Sequence, residues 1–167
     1  MLIVAVLIIF PTLAESQGLF SYSNFSAPTR MGSIDGPLAG AGIWGQMLAG
    51  TNTQSLVPVG MPNEHLLGRI SEGIVAVLGI TPDTFGYVQM VAWDGVRWGT
   101  LLSGVPTDQL GRSDIVQHFF TFDFQPQFAP SFTQPAIVPV PEPSTLVLGA
   151  VGACALWLAS RWRQESP

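Results

Sequence analysis

Lysine is absent from this chain of 167 residues, and only 10% of its residues are charged, against roughly 25% in a typical soluble domain. Between Glu15 and Glu142, four arginines (Arg30, Arg69, Arg97, Arg112) stand against ten acids. An acidic surface without lysine has no electrostatic footprint for a polyanion, so nucleic acid is not an expected partner. Cysteine is nearly absent as well. The one thiol, Cys154, lies in an apolar stretch of the tail. The folding region therefore has no disulfide, no thiolate metal site and no cysteine nucleophile, and packing alone must hold it together.

Histidine is limited to His65 and His118, which narrows the chemistry further. A hydrolase needs a nucleophile, a base and an orienting acid in one place. His118 falls on the core-facing side of a strand candidate, where a structural histidine is expected. His65 follows Glu64 in a Pro-Asn-Glu-His stretch that reads as a solvated loop. Neighbouring residues seldom chelate one ion, and no third ligand is spaced nearby. Among the carboxylates a glycosidase would need, Asp83 and Asp94 read as turn residues. Asp108 and Asp114 flank Gly111 without the spacing of a calcium loop, and Asp123 stands alone. No glycine-rich phosphate motif occurs between a strand and a helix. The expectation is no catalytic residue, no metal, no cofactor and no enzymatic activity.

What the chain does have is short apolar runs punctuated by Gly and Pro. Ile43 to Leu48, Gly73 to Leu78 and Tyr87 to Trp93 read as strands, and Ile115 to Phe124 is the longest candidate. In that last run Val116, His118, Phe120, Phe122 and Phe124 share one face. Asp94-Gly95, between two apolar runs, predicts a two-residue hairpin turn leading into a strand over 96–102. Residues 62–72 hold the one candidate helical turn, weakened by Gly68. Regular turn signals between many short strands predict an all-β domain over 20–124, a small β-sandwich. Tyr87, Trp93 and Trp98 surround the predicted hairpin. They either pack across it as core or form a glycan-binding platform, since aromatic faces stack on the apolar faces of sugars.

Both ends read as addresses. Leu2 to Phe10 is an uninterrupted apolar run broken by Pro11, and Thr12 and Ala14 supply small residues for cleavage after Ala14. This predicts a signal peptide over 1–14. No basic residue precedes the run, so either the true start lies upstream or the α-amino group supplies the positive end. Residues 125–140, with Pro126, Pro130, Pro135 and Pro139, predict an extended spacer. Then come Pro141-Glu142-Pro143-Ser144, an apolar stretch over 145–160, and Arg161 and Arg163. As a helix, 145–160 spans roughly 24 Å, a little short of the roughly 30 Å hydrocarbon core, which places Trp157 and Trp162 near an interface. The arginines act as a membrane stop on the cytoplasmic side.

This tripartite tail over 141–163 resembles the PEP-CTERM sorting signal of Gram-negative bacteria. Pro141, Glu142 and Pro143 match its motif, Ser144 and Thr145 its small polar pair, and Arg161 and Arg163 its basic end. The basic end is thinner here than the family's and is followed by Glu165 and Pro167. The resemblance implies partnership with the export machinery and with exosortase, a membrane-embedded transpeptidase. It also implies a place at the cell surface or in the extracellular matrix, in association with exopolysaccharide. The middle, roughly 37–122, is similar to a group of small surface-sorted proteins known from Verrucomicrobia. The similar stretches are Gln46 to Gly50, Ser55 to Gly60 and Val88 to Asp94. That likeness implies a small β-domain with no assigned activity.

Overall fold

The computed structural model describes residues 17–121, 129–140 and Cys154. The expected signal peptide, the helix over 145–160 and the tail motif residues lie outside the described residues. Among the described residues no helix is long and apolar enough to cross a membrane.

The fold is all-β. Its strands are β1 (Gln17–Ser23), β2 (Arg30–Met31), β3 (Ile43–Gly50), β4 (Val57–Glu64), β5 (Ser71–Leu78), β6 (Thr84–Asp94), β7 (Gly111–Arg112), β8 (Val116–Phe120) and β9 (Ile137–Val138). Within 17–121 and 129–140, helix is confined to one turn, α1 (Gly95–Trp98), and 3-10 turns at Leu102–Gly104 and Thr107–Gln109. The alternating runs seen in the sequence became β3, β5, β6 and β8. Strand β6 is the spine: it pairs antiparallel with β3 along its length, with β8 over Thr84–Val88 and with β7 at Val91 and Ala92. Beyond β3 lies β4, and β1 pairs separately with β5.

Reciprocal backbone bonds between Leu19 and Thr121, at 2.9 and 3.2 Å, join β1 to β8. Neighbouring strands thus follow the order β5-β1-β8-β6-β3-β4, and the two ends of that order meet again. The Met61 amide on β4 donates to the Glu72 carboxylate on β5 at 2.9 Å. The Tyr22 hydroxyl on β1 donates to the Met61 carbonyl at 3.2 Å and accepts the Met47 amide at 3.1 Å. Period-two side chains from all six strands then point at one core: Phe20, Tyr22, Met47, Val59, Val75, Val77, Val88, Met90 and Phe120 are buried there. Each fully buried large apolar side chain contributes roughly 1.5–3 kcal/mol, which is how a domain without disulfides stays folded. Part of the outer face of β3 and β6 is also covered. Leu48, Val91 and Trp93 pack under Trp98, Leu102, Val105 and Leu110 from the segment that follows β6.

Two local expectations are corrected. Asp94-Gly95 makes no hairpin and 96–102 forms no strand. Instead the Asp94 carboxylate accepts the Arg97 amide at 3.1 Å and caps α1. The cap wins because an Asx side chain that reaches back to the amide three residues on stabilises a helical turn, which the covering segment then extends. Residues 62–72 hold no helical turn: β4 runs to Glu64, a tight turn is closed by reciprocal Leu66 and Arg69 backbone bonds, and β5 begins at Ser71. The run read as a strand over 115–124 is strand over Val116–Phe120, with Val116, His118 and Phe120 facing inward as their parity indicated. Phe122 and Phe124 lie outside the described residues.

Part of the proline-rich spacer, with its apolar Phe132 and Ile137, packs back on the domain. Residues 129–140 pack onto the domain, with Phe132, Ala136 and Val138 buried. Strand β9 pairs in parallel with β2, through Arg30 N to Ala136 O and Gly32 N to Val138 O, both 2.9 Å. Prolines 135 and 139 flank the two-residue strand rather than interrupt it, so they take away no ladder donor. The strap is held a second way, by the Asp114 carboxylate. It accepts the Thr133 hydroxyl at 2.6 Å and the amides of Thr133 and Gln134 at 3.1 and 3.0 Å. Partial burial works to raise the Asp114 pKa, but these hydrogen bonds together outweigh it and hold the carboxyl below its usual value of 3.8. The folded pKa being depressed, Asp114's contribution is present above that value and is lost as pH falls through the folded pKa.

Strap and sheet meet at Gly111, where an added Cβ would sit 2.5 Å from the Ile137 carbonyl carbon. Gly111→Ala is expected to lift β9 off the domain and cost about 1–3 kcal/mol, the scale of overpacking. Urea unfolding and hydrogen exchange at the Gly32 amide check this. Unchanged stability with the Gly32 amide still protected would refute the tight contact.

Candidate functional site

Among the described residues a surface groove of about 430 Å³ lies at the turn between β4 and β5. Phe25, Leu66 and Leu67 wall it, Ile70 lies beneath, and Asn63, Glu64, Arg69 and Ser71 bring polar groups to it. Leu66 and Leu67 are 77% and 69% exposed. Leu67 takes a φ of 51°, the left-handed region that a bulky residue seldom enters. The Arg69 guanidinium lies 5.4 Å from the centre of the Phe25 ring, a cation–π contact.

A buried polar network holds this turn. Asn24, at the end of β1, accepts the Ile70 amide at 2.8 Å and donates to the Gly68 carbonyl at 3.0 Å and to Thr29 Oγ1 at 3.2 Å. The Thr29 amide donates to Gly68 O at 2.7 Å. His65 Nδ1 lies 3.1 Å from the Ile43 carbonyl, and its Nε2 lies 2.8 Å from Thr29 Oγ1. A carbonyl only accepts, so Nδ1 carries the proton and Nε2 accepts from the Thr29 hydroxyl. The ring fits because position 45 is glycine: a Cβ there would come 2.5 Å from His65 Cε1.

His65 is therefore not the solvated loop residue expected; it is 3% exposed and both its nitrogens are paired. Its neighbour Glu64 points outward, where its carboxylate accepts the Gly42 amide. His118 packs edge-on against Phe20 and Phe120 at 5.7 and 5.4 Å. Its Nε2 is buried without a hydrogen-bond partner, and desolvation lowers its pKa. Among the described residues no group of three or more His, Cys, Asp or Glu side chains is placed to hold a metal ion.

The three aromatics suggested for glycan binding do not form a shared exposed surface. Trp93 is 0% exposed and donates its indole N–H to the Gly99 carbonyl at 2.8 Å. Trp98 ends α1, half-buried in the same cluster, with the Arg97 guanidinium 4.8 Å over its ring. Tyr87 is half-buried on β6, facing Gly50 and Gln117. A buried indole cannot stack on a sugar, so the platform reading is corrected in favour of packing. The cross-strand pairing of Trp93 with Trp98 is corrected too, since Trp98 is helical and joins Trp93 from above the sheet. Pro141, Glu142, Pro143, Ser144, Arg161 and Arg163 lie outside the described residues. The groove itself was missed in the sequence, where Phe25 and Arg69 are 44 positions apart and nothing links them.

Neither a family model, a curated protein nor a solved structure matches the chain.

Burial lowers the His65 pKa from 6.5 to about 4, against a smaller raising effect of its hydrogen bond to the Ile43 carbonyl. Between those values the unfolded chain binds the proton and the folded chain does not, so stability rises with pH across the window. Unfolding free energy is expected to fall by about 3 kcal/mol as pH drops from 7 to 4. Urea titrations at several pH values, in a His118→Gln background that removes the second histidine, measure it. A flat profile would mean that His65 is not buried neutral.

Proposed function

We propose that this chain is an exported surface or matrix protein with a structural or adhesive role, sorted through its tail and processed by exosortase. The observation that carries this reading is the order Pro141-Glu142-Pro143-Ser144, charge-free 145–160, then Arg161 and Arg163. The apolar Leu2 to Phe10 run supports export from the other end. The partners of this reading are the export machinery, exosortase, the membrane through the tail helix, and exopolysaccharide. The organisation of the domain is compatible with it. Val138 is the last buried residue of the strap, and the motif follows three positions later at Pro141.

The domain itself is best read as a small β-sandwich, with the β1–β5 ribbon and the β6-centred sheet as layers over one core. We read it as a binding or structural module rather than an enzyme. Both histidines serve packing: His65 is fixed in the neutral form by Thr29 and Ile43, and His118 lies against two phenylalanine rings. Asp94 and Asp114 are likewise committed, one to a helix cap and one to the strap.

Intact mass of the protein recovered from its native host, in membrane and extracellular fractions, tests the sorting. The expected species ends near 141–144 and sits in the outer or secreted fraction. Recovery only of chains that retain 145–167 in the inner membrane would replace exosortase processing with simple tail anchoring.

A further inference from the structure

We propose that the groove between Phe25 and Arg69 binds a neutral saccharide, with Phe25 under the ring and Asn63, Glu64, Arg69 and Ser71 around its hydroxyls. The inference stands on the groove and is independent of how the tail is processed. It also moves sugar binding away from Tyr87, Trp93 and Trp98.

Size comes first. At about 430 Å³ the groove lies within the roughly 300–1,000 Å³ range of small-molecule sites. Chemistry then selects the occupant. A hydrocarbon chain would suit the leucines but would cover the Arg69 guanidinium and the carboxylate oxygen of Glu64 that the Gly42 amide leaves free, at a desolvation cost. An anion would meet Glu64, and a cation would meet Arg69. A neutral polyol avoids both conflicts, because each hydroxyl donates to Glu64 as readily as it accepts from Arg69 or Asn63. Three of these four polar groups are planar, which suits paired contacts to adjacent hydroxyls, and the aromatic ring supplies the apolar face that a pyranose requires. Phe25 is 52% exposed, and with Arg69 over one face of its ring the proposed stacking uses the other.

Rigidity is the second argument. The turn that carries Leu66 and Leu67 is over-determined: Asn24, Thr29 and Ala39 all bond Gly68, and Asn24 also bonds Ile70. A left-handed leucine persists only where its surroundings impose it, and such outliers concentrate at binding sites. A wall fixed in advance loses little entropy when a ligand arrives, which is what a weak, shallow sugar site needs.

The test is a nitrogen-15 NMR titration of the full chain with the methyl glycosides of glucose, galactose, mannose and N-acetylglucosamine. L-leucine serves as a zwitterionic probe and octanol as an apolar one. At least one glycoside is expected to shift the amides of Asn63, Leu66, Arg69 and Ser71 saturably at millimolar concentration. Phe25→Ala should weaken that binding at least about tenfold, the factor that 1.4 kcal/mol represents. Retention of the His65 amide shift would show that the variant is folded. Phe85→Ala, on another exposed part of the sheet, should leave it unchanged. The proposal is overturned if no glycoside gives a saturable shift or if the shifts cluster at Tyr87 and Trp98. A groove that answers only to octanol or only to leucine overturns it equally. None of these results touches the mass test of tail processing, so the two readings fail separately.

Discussion

The contact on which this structure turns is the hydrogen bond between Thr29 and His65 in the dry end of the core. Through it and Asn24, three pieces of chain far apart in sequence are tied together: the loop from Asn24 to Thr29 between β1 and β2, the start of β3 at Ile43, and the turn between β4 and β5. A buried polar network is favourable only when every member is satisfied, since an orphaned group carries its full desolvation penalty. Here the donors and acceptors alternate without conflict, from Ile43 O through the imidazole and the Thr29 hydroxyl to Asn24. Removing one partner strands the others. The network therefore stabilises through completeness, and it fixes geometry in a chain that has no disulfide to do so.

That geometry is passed outward. The same Asn24 that ends β1 bonds both Gly68 and Ile70, so the wall of the groove is built directly on buried structure. The opposite side of the molecule uses a different device. Residues after β6 fold back over its outer face, and Trp93 is sealed from two sides by β3 neighbours and the covering segment. Among the described residues no such cover lies over β6 toward Phe85, and there Phe85 and Phe119 meet edge-to-face at 5.1 Å in partial exposure. One strand is thus fully buried at one end and half-solvated at the other, which explains why its alternation in sequence is clean near Tyr87 and lost toward Trp93.

Much of the sheet was legible in the sequence because period-two alternation records which face a residue takes. Val116, His118 and Phe120 were placed inward on parity alone, and they lie inward. What failed were readings in which one residue type serves two purposes. Asp-Gly favours a hairpin turn, yet Asp is equally a helix cap, and Gly95, lying against the Trp44 ring, admits the helical turn. Prolines argued against strand in 129–140, yet a two-residue strand between Pro135 and Pro139 needs no donor from either. His65 looked solvated because its neighbours are polar and turn-like. Its partner Thr29 lies 36 positions away, and no local pattern encodes that contact. The groove was invisible for the same reason, being assembled from β1's end and the β4–β5 turn.

The strap gives the proposed tail a mechanical meaning. Under tail anchoring, tension entering at residue 141 reaches the domain through β9 rather than through a slack spacer. It meets two fastenings first: the parallel bonds from Arg30 and Gly32, and the Asp114 cluster around Thr133 and Gln134. The second is a charge-assisted set, stronger per bond than neutral pairs, and it ties the strap to the residues just before β8. Since β8 pairs with β6 and Thr121 just beyond it bridges to β1, load from an anchored tail would pass into the central sheet. The groove at the β4–β5 turn is fixed by a separate network, Asn24 and Thr29 with His65. A pull at the tail thus falls on hydrogen bonds that the groove does not use. In the proposed role, holding and binding would thus fall to different sets of contacts.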